Sequence, residues 1–162
     1  DYDAEDYSGL IILPGVEKLL ASLPADRWTI VTSATVRLLE GRLRHAGLPI
    51  PKALVPAEHV ANGKPHPEPY LTGAKLLNLA PADCLVIEDS PAGVASGKAA
   101  GCSVLAVLSS HTQAQLPGAD WYIQSLEQVA SERQNDGNLE RQNDGNLWLH
   151  LDIADNPAPR RR

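Results

Sequence analysis

Cys84 to Gly101 reads CLVIEDSPAGVASGKAAG, and this stretch decides the fold. Cys84, Leu85, Val86 and Ile87 form a short unbroken apolar run, the pattern of a strand covered on both faces in a parallel sheet. Glu88 and Asp89 follow where that strand ends. Ser90-Pro91 then supplies a helix N-cap and a proline for the first helical position, and Gly101 stops the helix. In open parallel α/β sheets, ligands bind at the carboxyl ends of the strands, so an acidic pair there is placed to hold a hard cation such as Mg²⁺. The same pair also suits the positive end of a helix dipole, and this stretch alone does not choose between the two roles.

Working outward, the chain repeats the strand-then-helix pattern. Trp28 to Thr32 (WTIVT) is β-branched and reads as a strand whose exit is Ser33-Ala34-Thr35. Val36, Leu39 and Leu43 share a helical face that ends at Gly47. Ala53 to Val55 reads as a second short strand between Pro51 and Pro56. Val16, Leu19, Leu20 and Leu23 predict an amphipathic helix after Leu10 to Leu13 and Pro14-Gly15; Tyr70, Ala74 and Leu77 predict another. Ser103 to Leu108 and Trp121 to Ile123 complete the strands. The fold class expected is α/β, a parallel sheet with helices on both faces and right-handed crossovers.

The ends are of a different kind. Residues 1–9 are acidic and read as a linker or frayed end, leaving 10–130 as the core. ERQNDGNL at Glu132 to Leu139 recurs letter for letter at Glu140 to Leu147, so 131–147 reads as a duplicated loop; a unit of eight residues is too short for a solenoid. In 148–162, Leu149, Leu151 and Ile153 alternate with Trp148, His150 and Asp152, as in an edge strand or hairpin partner. Arg160 to Arg162 follow as a disordered tail.

The chain has 162 residues, enough for one domain with a substantial core, and a formal charge of −6, which argues against a nucleic-acid or anionic-membrane partner. Cys84 and Cys102 each open an apolar run and read as buried thiols rather than a disulfide or metal pair. The five histidines lack paired metal-ligand spacing. With no signal peptide and no bilayer-length apolar run, a cytoplasmic protein is expected.

Three polar elements stand at strand exits or in a stiffened loop. They are Ser33-Ala34, the Glu88-Asp89 pair, and Lys64 within NGKPHPEPY (Asn62 to Tyr70), whose prolines at alternate positions restrict the backbone. A hydroxyl with adjacent N–H groups, a fixed ammonium and a carboxylate pair complement a phosphate and its Mg²⁺.

In this order the elements resemble the haloacid dehalogenase-like hydrolase superfamily, over about Ser8 to Val129. WTIVTSAT, GKPHPEPYL and EDSPAGVASGKAAGC are most similar to its sugar-phosphate and glycerol-phosphate phosphatases, with β-phosphoglucomutases a near relative. The resemblance implies a Rossmann-like core, a mobile cap and an aspartyl-phosphate intermediate. It implies that Ser33 and the Ala34 N–H bind phosphate, that Lys64 offsets charge as a catalytic residue, and that Glu88 and Asp89 hold Mg²⁺. A small phosphorylated metabolite is the implied partner.

The family's nucleophile, an aspartate after a buried strand with a second aspartate two positions on, is not identified. Asp1 and Asp3 have the spacing but no preceding strand, and Asp152 and Asp155 have the wrong spacing. By resemblance the missing strand lies between Trp28 to Thr32 and Cys84 to Ile87, so the expectation is a truncated core, without its central first strand and cap and with impaired or no activity. The alternatives are a non-catalytic phosphate- or metal-binding remnant, a module completed by a partner, a β-phosphoglucomutase-like enzyme, and a dehalogenase, which the acidic pair disfavours.

Overall fold

A computed structural model describes Tyr7, residues 9–133 and residues 147–151, the last five and 130–133 by backbone alone. Asp1, Asp3, Asp152, Asp155, most of the duplicated segment and the arginine tail lie outside the described residues.

The predicted alternation is present. In chain order the elements are α1 (Val16–Ser22), β1 (Ile30–Val31), α2 (Val36–His45), β2 (Leu54–Val55), α3 (Glu68–Leu76), β3 (Leu85–Glu88), α4 (Pro91–Ala99), β4 (Ser103–Val107), β5 (Trp121–Ile123), β6 (Val129–Arg133) and β7 (Leu147–Leu151), with 3-10 turns between some of them. Strands β3, β4 and β5 form a parallel sheet in that order; β1 and β2 form a separate parallel pair, and β6 and β7 an antiparallel one. The last pair agrees with the hairpin reading of the C-terminal strand. It moves the loop bounds, because 131–133 extend β6 and Leu147 opens β7.

Strand β4 shows why the first sheet is buried. Its even positions, Val104 and Ala106, join Tyr70, Val86, Val94 and Leu116 in one apolar cluster, and its odd positions, Leu105 and Val107, join Leu19, Ile123 and Val129 in another. Alternate side chains point to opposite faces of a strand, so β4 is covered on both by helix-borne residues. Helix α4 lies close to β4: a Cβ at Gly97 would come within 2.9 Å of Val104 Cγ2.

The β1–β2 pair is shorter than its apolar runs. Pro51 and Pro56 lack donors at either end of β2, and Thr29 Oγ1 donates to the Ala53 carbonyl at 2.7 Å, replacing a ladder bond with a side-chain bond. Thr32 N–H donates to the Val55 carbonyl, so by alternation the Val31 backbone groups face away from β2. Among the described residues, strand β3 is bonded to β4 on one side only. No described strand lies between β1 and β3, and the space they flank is open.

Leu105 has no exposed surface. Leu105→Ala is expected to cost about 2–5 kcal/mol of unfolding free energy, read from urea melts, because the cavity forms where both faces of β4 are packed.

Candidate functional site

The carboxyl ends of β1, β3 and β4 converge on a cavity of about 480 Å³. Its wall includes Thr32 and Ser33 after β1, Lys64 from the proline-rich loop, Glu88, Asp89 and Ser90 after β3, and Ser109 after β4; Ile30, Val31, Ile87 and Leu13 add apolar surface.

Each polar group is placed by a local device. After β1, Thr32 Oγ1 accepts from the Ala34 N–H at 3.1 Å and turns the chain. Thr35 caps α2 by accepting from Leu38 N–H, and the Glu58 carboxylate accepts from Val36 N–H at 3.1 Å, which fixes the start of that helix. Ser33 is left exposed on the cavity wall. Ala34 is not on that wall, and its amide is already bonded to Thr32.

The Lys64 loop is held at both ends. Before the lysine, the Glu68 carboxylate accepts from Ala61 N–H at 2.7 Å and Asn62 N–H at 3.0 Å. After it, the fully buried Ser96 of α4 donates to the His66 carbonyl at 2.6 Å. Lys64 Nζ then donates to the Val31 carbonyl at 3.1 Å and to Glu88 Oε1. The lysine thus bridges β1 and the end of β3.

Glu88 and Asp89 are adjacent in sequence but face different surroundings. The Glu88 carboxylate is buried and filled by protein donors: Oε1 accepts from Lys64 Nζ and the Tyr70 hydroxyl, and Oε2 from Asp89 N–H, Ser90 N–H and Ser90 Oγ. Burial pushes this carboxyl up; the Lys64 charge, followed by hydrogen bonds from Lys64, Tyr70 and Ser90, more than offsets it and leaves the group below the usual value. Burial, and next the Glu88 charge, hold the Tyr70 phenol far above its usual range, so it remains a donor.

Among the described residues, the Asp89 side chain has only long contacts, from Ser109 Oγ at 3.4 Å and Ser110 Oγ at 3.5 Å to Oδ2. Among the described residues there is no cluster of three or more His, Cys, Asp or Glu side chains able to enclose a metal. One open carboxylate is nevertheless a donor set that suits Mg²⁺, which keeps several waters and takes one or two carboxylates together with phosphate oxygens.

The structure therefore brings Ser33, Lys64, Glu88 and Asp89 to one cavity and leaves Ala34 outside it. Sequence reasoning missed Tyr70 as a polar partner, along with Thr32 and Ser96. The available signal was that Tyr70 follows Lys64 by six residues in a segment its prolines stiffen.

Residues 1–101 match the family described as haloacid dehalogenase-like hydrolase. Among curated proteins, the chain is 44% identical over 139 residues to hexitol phosphatase A of Escherichia coli K12, covering 85% of this chain and 64% of that protein. It is 38% identical over 110 residues to glycerol-1-phosphate phosphohydrolase 2 of Saccharomyces cerevisiae, covering 62% of this chain and 44% of that protein. Among solved structures, a hydrolase of the same family from Deinococcus radiodurans R1, with bound phosphate and sodium, superposes with a TM-score of 0.66 at 31% identity, over 71% of this chain and 56% of that one. The chain thus spans less than two thirds of the length of each of these proteins.

Two outcomes follow from the surroundings of Glu88. A Cβ at Gly93 would sit 2.0 Å from Glu88 Cδ, so Gly93→Ala is expected to displace the carboxylate and cost about 1–3 kcal/mol in thermal or urea melts. The folded-state pKa of Glu88 lies below its ordinary 4.5, so its contribution to stability is complete above that pH and is lost as pH falls through the lower folded value. Urea melts of Glu88→Gln are expected to show lower stability near neutrality and a shallower loss below pH 4.5 than the parent chain.

Proposed function

This chain belongs to the haloacid dehalogenase-like hydrolases, and from that premise we propose that it is the phosphate- and Mg²⁺-binding core of a phosphatase acting on small sugar or polyol phosphates. The observation that carries the reading is the meeting of Ser33, Lys64 and Asp89 on one cavity at the strand ends. The names of the relatives, a hexitol phosphatase and a glycerol-1-phosphate phosphohydrolase, support the substrate class. The same reading puts the chain in the cytoplasm beside such substrates; separately, no described helix is long and apolar enough to cross a membrane.

In this reading the Ser33 hydroxyl donates to a phosphoryl oxygen. Lys64 has three N–H donors and uses two on described residues, and the third is the one this reading gives to the phosphate. Asp89, whose carboxylate is open, would hold Mg²⁺, while Glu88, whose oxygens are taken by protein donors, would support the site from behind through its negative charge. The metal, when bound, neutralises charge on the phosphoryl group. The Ala34 amide joins the phosphate only by exchanging its bond to Thr32 Oγ1.

The family's aspartyl-phosphate chemistry needs a nucleophilic carboxylate in line with the phosphorus. The only carboxylates among the described residues of the cavity wall are those of Glu88, which is filled by donors, and Asp89, which this reading assigns to the metal. That observation favours a second reading, a module that binds phosphate and metal and turns over only when another segment or chain brings a carboxylate between β1 and β3.

Phosphate release from glycerol phosphate and hexitol phosphates, assayed with and without Mg²⁺ beside Asp89→Asn, separates the two. Mg²⁺-dependent turnover that falls at least about a hundredfold in Asp89→Asn supports the enzyme reading. A cooperatively folded chain that binds phosphate and Mg²⁺ without turnover supports the binding module, and a chain that binds neither overturns both.

A further inference from the structure

Among the described residues, Tyr70 touches both members of the buried Lys64–Glu88 pair. Its hydroxyl donates to Glu88 Oε1 at 2.5 Å, the oxygen that also accepts from Lys64, and its ring lies under the ammonium with Nζ 4.9 Å from the centroid. The tyrosine is 8% exposed, and the side chains of Lys64 and Glu88 are 11% and 8% exposed, so water contributes little to holding the pair.

The position of Tyr70 is itself determined. It lies in the first turn of α3, where its N–H donates to the Pro67 carbonyl, and α3 sits against β1: a Cβ at Gly73 would come within 2.9 Å of Val31 Cγ2. Tyr70 is therefore fixed to the strand that leads into Ser33, and through its hydroxyl to the end of β3.

We propose that Tyr70 is a positioning residue for phosphate binding, acting through Glu88 to hold the Lys64 ammonium with its third N–H on the cavity side. The proposal rests on the phosphate-site reading of the cavity. A buried carboxylate keeps its geometry only when its lone pairs are matched by donors. With the phenol removed, Oε1 depends on the ammonium alone, and the pair closes on itself instead of presenting a donor to an incoming anion. The same hydroxyl shares the charge on Oε1, which weakens the competition between Glu88 and a bound phosphate for Lys64.

The test is calorimetric titration of inorganic phosphate, with Mg²⁺ present, into the parent chain, Tyr70→Phe, Lys64→Met and the double variant, each first shown to melt cooperatively. Tyr70→Phe keeps the ring and is expected to weaken phosphate about fivefold to tenfold, the net scale of one typical intramolecular hydrogen bond, while Mg²⁺ affinity without phosphate stays within about twofold. Lys64→Met weakens phosphate further, and adding Tyr70→Phe to it changes nothing more, because the tyrosine acts through the lysine. Tyr70→Leu removes the hydroxyl and the ring face together and serves if the phenylalanine variant does not fold; it is expected to weaken phosphate at least as much.

Parental phosphate affinity in either Tyr70 variant, or additive losses in the double variant, overturns the proposal and leaves the phosphate-site reading intact. Parental affinity in Lys64→Met overturns both.

Discussion

One buried carboxylate organises this site. Glu88 ends β3, and its oxygens gather a lysine from the proline-rich loop, a tyrosine from α3, and a hydroxyl and two amides from the turn into α4. Five donors on about four lone-pair positions make a saturated group, and saturation is the condition under which a buried ion pair is tolerated. The proline-rich loop, the first turn of α3 and the turn from β3 into α4 are thereby fixed to one point. The close approach of Gly93 follows from the same demand, since the carboxylate lies where any side chain at that position would begin.

Much of this was legible in the residues. The apolar run at Cys84 to Ile87, the cap at Ser90-Pro91 and the stop at Gly101 specified a strand, a turn and a helix because each rests on local chemistry, and β3 and α4 follow them closely. Ser33, Lys64 and Asp89 could be picked out because strand exits and stiff loops are where a parallel sheet presents polar groups. The unlike environments of Glu88 and Asp89 could not be read: two neighbouring acids look alike in sequence, and only packing determines which one turns inward. Tyr70 read as an apolar helix-face residue because the target of its hydroxyl lies 18 positions away. The Ala34 amide looked available because the competing acceptor, Thr32 Oγ1, is a turn contact that the strand pattern conceals.

Strand lengths were overestimated for a related reason. Apolar content in Trp28 to Thr32 marks a segment that can be buried, but ladder bonds need a partner with donors. Between its prolines, β2 provides a two-residue match, and Thr29 finishes the pairing with its side chain. The C-terminal strand, by contrast, was readable from its period of two, and its antiparallel partner starts at Val129, where the second apolar cluster ends.

Among the described residues the facing flanks of β1 and β3 are unmatched, which has a consequence for handling this chain in solution. A strand with a bare edge is a template for any extended segment that meets it, including one from a second copy, and such pairing grows with concentration. Here the edges are only two and four residues long, and the Val31 carbonyl is already covered by an ammonium. Short length and a charge at the rim are the means by which native sheets resist edge-to-edge aggregation. The lysine on the cavity wall thus also acts as a gatekeeper for colloidal stability.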